Sequence, residues 1–234
     1  NTQIAQYMRE TYGVSNEKTA LAITIANREK ALLQDLDYEN GYSLYVGIPF
    51  CPSICLYCSF GSHPLERWTK RVDEYLDALC KELTFIREEM GERKLTTVYI
   101  GGGTPTTLEP EQLRRLLSHI QTTFDFTWVK EYTVEAGRPD SITREKLQVM
   151  KEFPVTRISV NPQTMNQKTL DVIGRKHTVE DTVNIFHMAR ELGFDNINMD
   201  LIIGLPGEGK EEVAHTLQEV ENLHPDSLTI HSLA

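Results

Sequence analysis

Cys51, Cys55 and Cys58 stand in the run Tyr45-Val46-Gly47-Ile48-Pro49-Phe50-Cys51-Pro52-Ser53-Ile54-Cys55-Leu56-Tyr57-Cys58, a CxxxCxxC spacing directly after a short apolar segment. Three thiolates on one tight loop bind iron strongly, and in a four-iron cluster they leave one iron without a protein ligand. An open iron takes up a small-molecule chelate, which is a route into radical chemistry. Two other uses of the thiols fit the sequence less well. A disulfide is disfavoured, because clustered thiols outside any secretory pattern are expected in a reducing, cytoplasmic compartment. Structural zinc usually takes four ligands in paired CxxC spacings, and here a fourth would have to come from a residue such as His63. Cys80 falls in a helical pattern and reads as a small buried hydrophobe.

Something must hold that loop. The chain has 234 residues, 40% of them hydrophobic and 25% charged, which suits one sizeable core with an appendage. No apolar run approaches the ~20 residues needed to span a bilayer. The net charge of −10 argues against a nucleic-acid duplex or a membrane surface as the main partner. Residues 1–41 read as a helical segment, the end of a preceding domain, with Ser15-Asn16-Glu17-Lys18 capping a helix that runs to about Leu33. The opening Asn1-Thr2-Gln3 shows neither an initiator Met nor a targeting pattern, so the chain is expected to begin inside a longer protein.

Residues 42–234 form the expected core. Strands are read at 43–48, 96–100, 131–135, 155–160, 196–201 and 227–231, with helices at about 68–90, 109–121, 143–151, 166–172, 179–192 and 208–222. Apolar strands alternating with amphipathic helices give right-handed βαβ units and a parallel sheet. Ligands then bind at the carboxyl ends of the strands. The cysteine loop follows the first strand, and Gly101-Gly102-Gly103-Thr104-Pro105-Thr106 follows the second. Glu135 closes the third strand ahead of Arg138, Gln163 and Arg175 come after the fourth, Asp200 ends the fifth and Ala234 follows the sixth. All point to one rim. Glycines there let backbone amides approach a ligand closely, and a carboxylate such as Glu135 accepts from hydroxyl or amino groups.

A competing motif lies in Gly204-Leu205-Pro206-Gly207-Glu208-Gly209-Lys210, which satisfies GxxxxGK after an apolar strand. Glu211 stands where a Ser or Thr must reach magnesium, and Pro206 removes a cradling amide, so the loop reads instead as the start of a helix.

The cysteine motif with the glycine run and Glu135 resembles the radical S-adenosylmethionine (SAM) superfamily, in its oxygen-independent coproporphyrinogen III oxidase-like branch. The stretches Val134-Glu135-Ala136-Gly137-Arg138-Pro139 and Asn161-Pro162-Gln163 look like a coproporphyrinogen dehydrogenase variant found in anaerobic bacteria. The resemblance covers Ser43 to Ala234 and implies an α/β fold, an open (β/α)6 partial TIM barrel behind the N-terminal helical extension. It implies a [4Fe–4S] cluster on Cys51, Cys55 and Cys58, with one or two SAM molecules held by Tyr45, Tyr57, Gly102, Gly103, Thr104, Glu135, Gln163, Arg175, Asp200 and Ala234. It further implies an external electron donor of flavodoxin or ferredoxin type and a tetrapyrrole substrate of haem biosynthesis, whose propionates lose carbon dioxide to leave vinyl groups. Arg138 and Arg175 are the candidate propionate partners, since a guanidinium pairs a carboxylate through two hydrogen bonds. Phe60 stands where the oxidases carry a further cysteine, and Gly47 where they tend to have His. Haem-chaperone relatives also lack that cysteine, so a haem chaperone or related transferase remains the second reading, with a non-radical SAM- or metal-binding module third. The chain also stops at the sixth strand, short of the segment that covers substrate in the proteins it resembles.

Overall fold

The computed structural model describes residues 1–34 and 36–233. Two compact units are present, Asn1–Tyr42 and Ser43–Ala234. The first carries α1 (Thr2–Tyr12), ended by Gly13 at φ 63°, and α2 (Asn16–Gln34). Ser15 Oγ accepts from the Lys18 backbone N–H at 3.3 Å, the cap expected from its position before that helix.

After the helices come β1 (Gly41–Ile48), β2 (Phe50–Cys51), β3 (His63–Pro64), α3 (Leu65–Trp68), α4 (Val72–Met90) and β4 (Lys94–Gly102). Then follow α5 (Pro110–Thr123), β5 (Glu131–Glu135), α6 (Arg144–Lys151), β6 (Arg157–Ser159), α7 (Gln167–Val172), α8 (Val179–Glu191), β7 (Ile197–Ile203), α9 (Lys210–Leu223) and β8 (Ser227–Ser232). Among the described residues one six-stranded sheet runs in the order β1-β4-β5-β6-β7-β8 without closing on itself. Its neighbours from β4 to β8 pair in parallel. This is the parallel sheet that the alternation predicted, in the open, partial (β/α) barrel that the family resemblance implied.

Local chemistry starts the helices where the sequence says. Pro110 opens α5 behind a Glu109–Gln112 capping box, and Leu113, Leu116, Leu117 and Ile120 form a buried stripe along it. Thr178 and Asp181 cap α8 reciprocally, and Thr143 Oγ1 caps α6. The sheet presents Val46, Ile48, Val98, Ile100, Tyr132, Val134, Ile158, Ile197 and Met199 to the core, all buried.

Three details depart from the sequence reading. Helix 68–90 is interrupted, with α3 and a 3₁₀ turn at Thr69–Arg71 preceding α4. β7 runs past Asp200 because β8 pairs with it as far as Ile203↔Ser232, so Asp200 sits within the strand rather than at its end. The cysteine loop is also framed by a ladder that the sequence did not reveal, in which Phe50 pairs with His63 and Cys51 with Pro64.

Candidate functional site

A cavity of about 420 Å³ opens at the strand ends of the Ser43–Ala234 unit. Its wall contains Cys51, Cys55, Cys58, Tyr57, Gly102, Gly103, Thr104, Glu135, Arg138, Gln163, Arg175 and Asp200. Every residue nominated from the sequence is therefore brought together except two. Tyr45 is outside the wall, and Ala234 lies outside the described residues.

The cysteine loop is held on three sides. Backbone Leu56 N–H donates to the Ile173 carbonyl at 3.0 Å, and Ser53 Oγ donates to the Gly174 carbonyl at 3.0 Å. Cys58 N–H closes a turn on the Cys55 carbonyl at 3.0 Å. All three thiols are free, and Cys51 and Cys55 are buried. Burial pushes the Cys51 thiol up, opposed by hydrogen bonding from Thr104 and by the nearby Arg138 charge. Thr104 Oγ1 lies 3.4 Å from Cys51 Sγ and 2.8 Å from the Gly103 carbonyl, so its single proton serves one or the other.

The glycines act first on this packing. A Cβ at Gly103 would meet the Phe50 carbonyl at 2.8 Å and Cys51 Sγ at 3.0 Å, and the Gly103 N–H is already given to the Ile48 carbonyl at 2.8 Å. Gly102 has φ 104°, with the Ile48 backbone 3.0 Å from where its Cβ would stand. The run belongs partly to β4 and seats that strand on the cysteine loop, so the Gly103 amide is not the free donor that the sequence suggested.

Arg138 is likewise committed. All five of its donors are engaged: Nε to Asp140 Oδ1 (3.0 Å), Nη2 to Asp140 Oδ2 (2.7 Å) and Ser53 Oγ (3.0 Å), and Nη1 to the Ser53 carbonyl (2.9 Å) and Cys55 Sγ (3.5 Å). It has no hydrogen left for a substrate carboxylate, which corrects its assignment as a propionate partner.

Four polar side-chain atoms of residues that line the cavity are buried without a hydrogen-bond partner among the described residues: Ser62 Oγ, Ser159 Oγ, Gln163 Oε1 and Arg175 Nε. Gln163 is held at φ 68° between β6 and β7, its N–H on the Asp200 carbonyl and its own carbonyl on Ile202 N–H. Arg175 Nη1 donates to the Asn161 carbonyl at 2.6 Å. Buried polar atoms are seldom left alone, which sets these residues apart from the rest of the cavity wall. Tyr57 packs on the apolar cluster of Leu170, Ile173, Ile202 and Leu205, and burial pushes its hydroxyl up to about 12 against the opposing charge of Arg175. Burial also raises the Glu135 carboxyl, Asp200 adds to that rise, and a hydrogen bond from Tyr99 opposes it.

Tyr99, Ser159, Asn198 and Arg157 line the same wall and were not read from the sequence. The signal was there: Glu135, Ser159 and Asn198 are in register across β5, β6 and β7, polar residues in strands that are otherwise apolar.

The competing sites lose their geometry. His63 is exposed, with its ring 5.2 Å from the Trp68 ring, and is outside the cysteine cavity. Among the described residues no three His, Cys, Asp or Glu side chains converge as ligands of one ion. Cys51, Cys55 and Cys58 all line the one cavity. In the Gly204–Lys210 loop, the Gly209 N–H is taken by Glu212 Oε2 at 2.8 Å, and Glu208 accepts from Thr164 and Asn166. A phosphate would find its cradle filled by carboxylates.

An open parallel barrel with a three-cysteine loop over its strand ends defines a cluster-dependent radical scaffold. The model of the Radical SAM superfamily matches residues 45–220, and the chain belongs to this superfamily. It is 45% identical over 231 residues to the oxygen-independent coproporphyrinogen-III oxidase-like protein HemZ of Bacillus subtilis, covering 97% of this chain and 46% of that protein. It is 39% identical over 192 residues to the heme chaperone HemW of the same organism, covering 82% of this chain and 50% of that one. Among solved structures, the Escherichia coli coproporphyrinogen III oxidase HemN superposes with a TM-score of 0.77 at 32% identity, over 88% of this chain and 47% of that chain. The chain spans about half the length of the curated relatives it matches. Family membership implies a [4Fe–4S] cluster and SAM. No helix among the described residues is long and apolar enough to cross a membrane.

Proposed function

We propose that this chain is the radical core of an enzyme that oxidatively decarboxylates propionates of a porphyrinogen, coproporphyrinogen III first among them. One observation carries the reading: Cys51, Cys55 and Cys58 line a single cavity together with Gln163, Arg175 and Ser159, each of which has a buried side-chain atom without a hydrogen-bond partner among the described residues. The substrate class is supported by the likeness to oxidase-named relatives, 45% and 33% identical.

Cys51, Cys55 and Cys58 would hold the cluster, and Glu135, Gln163, Asp200 and the Gly102–Thr104 backbone would hold SAM. When bound, this pair supplies one-electron cleavage of the sulfonium to a 5′-deoxyadenosyl radical, driven by an external low-potential donor. The protein's own residues then orient and shield. Tyr99 keeps the Glu135 carboxylate aimed, and Tyr57 with the Leu170–Ile173 cluster walls the cavity against water. Arg175, whose Nε is free, is the cation placed to take a propionate. Loss of a hydrogen atom, carbon dioxide and one electron from that side chain leaves a vinyl group, with the electron passing to an external acceptor.

Phe60 supports a second reading. It is 74% exposed beside Cys58, stands where the oxidases carry a further cysteine, and the likeness to the heme chaperone is 39%. One experiment separates the two. Reduced, anaerobically reconstituted full-length protein is incubated with SAM and coproporphyrinogen III, and products are weighed by mass spectrometry. The oxidase reading expects carbon dioxide and two hydrogens lost per reacting propionate. Stoichiometric haem binding with coproporphyrinogen untouched would favour the chaperone.

A further inference from the structure

The mechanism above leaves Arg138 without a task. It is 4% exposed, deep beside the cysteine loop, in a chain whose other arginines are mostly at the surface. Its guanidinium plane is fixed by a two-pronged pair with Asp140, the side chains being 5% and 16% exposed. From that anchor the remaining donors reach only the loop between the first two cysteines: both oxygens of Ser53, and the sulfur of Cys55 at 3.5 Å. A buried cation held rigidly and spent on three atoms of one turn is not explained by stability, since such pairs recover little more than their desolvation cost.

We propose that Arg138 is a positioning residue of the cluster, which presets the Ser53–Cys55 turn and, through its hydrogen bond to the Cys55 sulfur, raises the reduction potential of the bound cluster. The inference rests on the radical SAM reading of the site. Reduction adds one negative charge to the cluster and its sulfurs, and a charge-assisted donor to a sulfur stabilises that state more than the oxidised one. Asp140 works in the opposite direction. Its carboxylate orients the guanidinium and partly cancels its field, so the pair sets an intermediate potential. Thr104 Oγ1, 3.4 Å from Cys51 Sγ, shares its one proton between that sulfur and the Gly103 carbonyl. Among the described residues Cys55 is the cysteine that Arg138 hydrogen-bonds, while its charge also lies near Cys51.

The loop does not depend on Arg138 for its fold, because Ser53 Oγ also binds the Gly174 carbonyl and Leu56 N–H the Ile173 carbonyl. Full-length wild type, R138K, R138Q and D140N are reconstituted anaerobically, assayed for iron, and titrated electrochemically with the reduced cluster followed by electron paramagnetic resonance. R138Q is expected to keep its iron while its reduced-to-oxidised ratio at a set potential falls about tenfold, equal to ~59 mV for one electron. R138K should recover part of that, keeping the charge without the fork. D140N should shift the other way, to a higher potential. A merely structural residue would change iron retention and leave the potential in place. Wild-type potential in R138Q overturns the proposal. If R138Q cannot hold iron, D140N decides: a potential at or below wild type overturns it, and a higher one supports it. Failure of wild type itself to bind about four irons would remove the site reading and this inference together.

Discussion

Tyr99 on β4 donates its hydroxyl to Glu135 Oε1 on β5, and Tyr45 on β1 stacks on the Tyr99 ring at 5.8 Å between centroids. The buried carboxylate therefore has one fixed donor. Tyr45, expected beside the cofactor, reaches the site through Tyr99 and is itself 61% exposed.

Replacing Tyr99 by Phe removes that donor and leaves Glu135 to burial and to Asp200, both of which raise its carboxyl. A protonated Glu135 is a poorer acceptor, so SAM affinity falls as pH falls. Y99F is expected to weaken SAM binding about tenfold, the loss of a hydrogen bond to a charged group. It should also move the acid-side decline in affinity to higher pH. Equilibrium dialysis of the reconstituted protein across the acid range checks both, and an unchanged profile would contradict the role given to Tyr99.

Gly103→Ala is expected to impair cluster loading. Its methyl would press on the Phe50 carbonyl and Cys51 Sγ, and a backbone oxygen cannot swing aside as a flexible side chain can. Overpacking of this kind costs about 1–3 kcal/mol. Iron content and the apo-protein melting temperature should both fall, whereas Gly61→Ala, where a Cβ meets nothing within 4 Å, should leave both unchanged.

His177 is 1% exposed, and neither ring nitrogen has a hydrogen-bond partner among the described residues. Burial, helped by the Arg175 charge, holds its imidazole down at about 4 from an ordinary value near 6.5. The unfolded chain binds a proton in that window and the folded chain does not, so stability is full above pH ~6.5 and is lost as pH falls toward ~4. A shift of that size corresponds to about 3 kcal/mol. Urea midpoints of the apo protein should drop between pH 7 and pH 5, and H177L should flatten that drop. An equal slope in both proteins would show that His177 titrates normally.

The barrel was legible because each buried strand is a short apolar run and each helix carries a striped face, as in α5 with Leu113, Leu116, Leu117 and Ile120. The spacing of Cys51, Cys55 and Cys58 marked out the loop that lines the cavity. What escaped was interaction between segments far apart in the chain. The Phe50–Cys51 and His63–Pro64 ladder is two residues long and has no period to detect. Arg138 reads as an available cation until Ser53 and Cys55, 85 and 83 residues away, are seen to take its donors.

The central claim is that Cys51, Cys55 and Cys58 together hold a cluster that works on SAM. Its most direct test is iron content and 5′-deoxyadenosine formation in anaerobically reconstituted, dithionite-reduced wild type and in the four single cysteine-to-alanine variants. The account predicts about four irons per chain and 5′-deoxyadenosine from wild type and Cys80→Ala. It predicts loss of 5′-deoxyadenosine, with little or no stable cluster, from Cys51→Ala, Cys55→Ala and Cys58→Ala. Full iron and undiminished 5′-deoxyadenosine from any of those three would contradict it, as would a fully loaded, reduced wild type that leaves SAM intact.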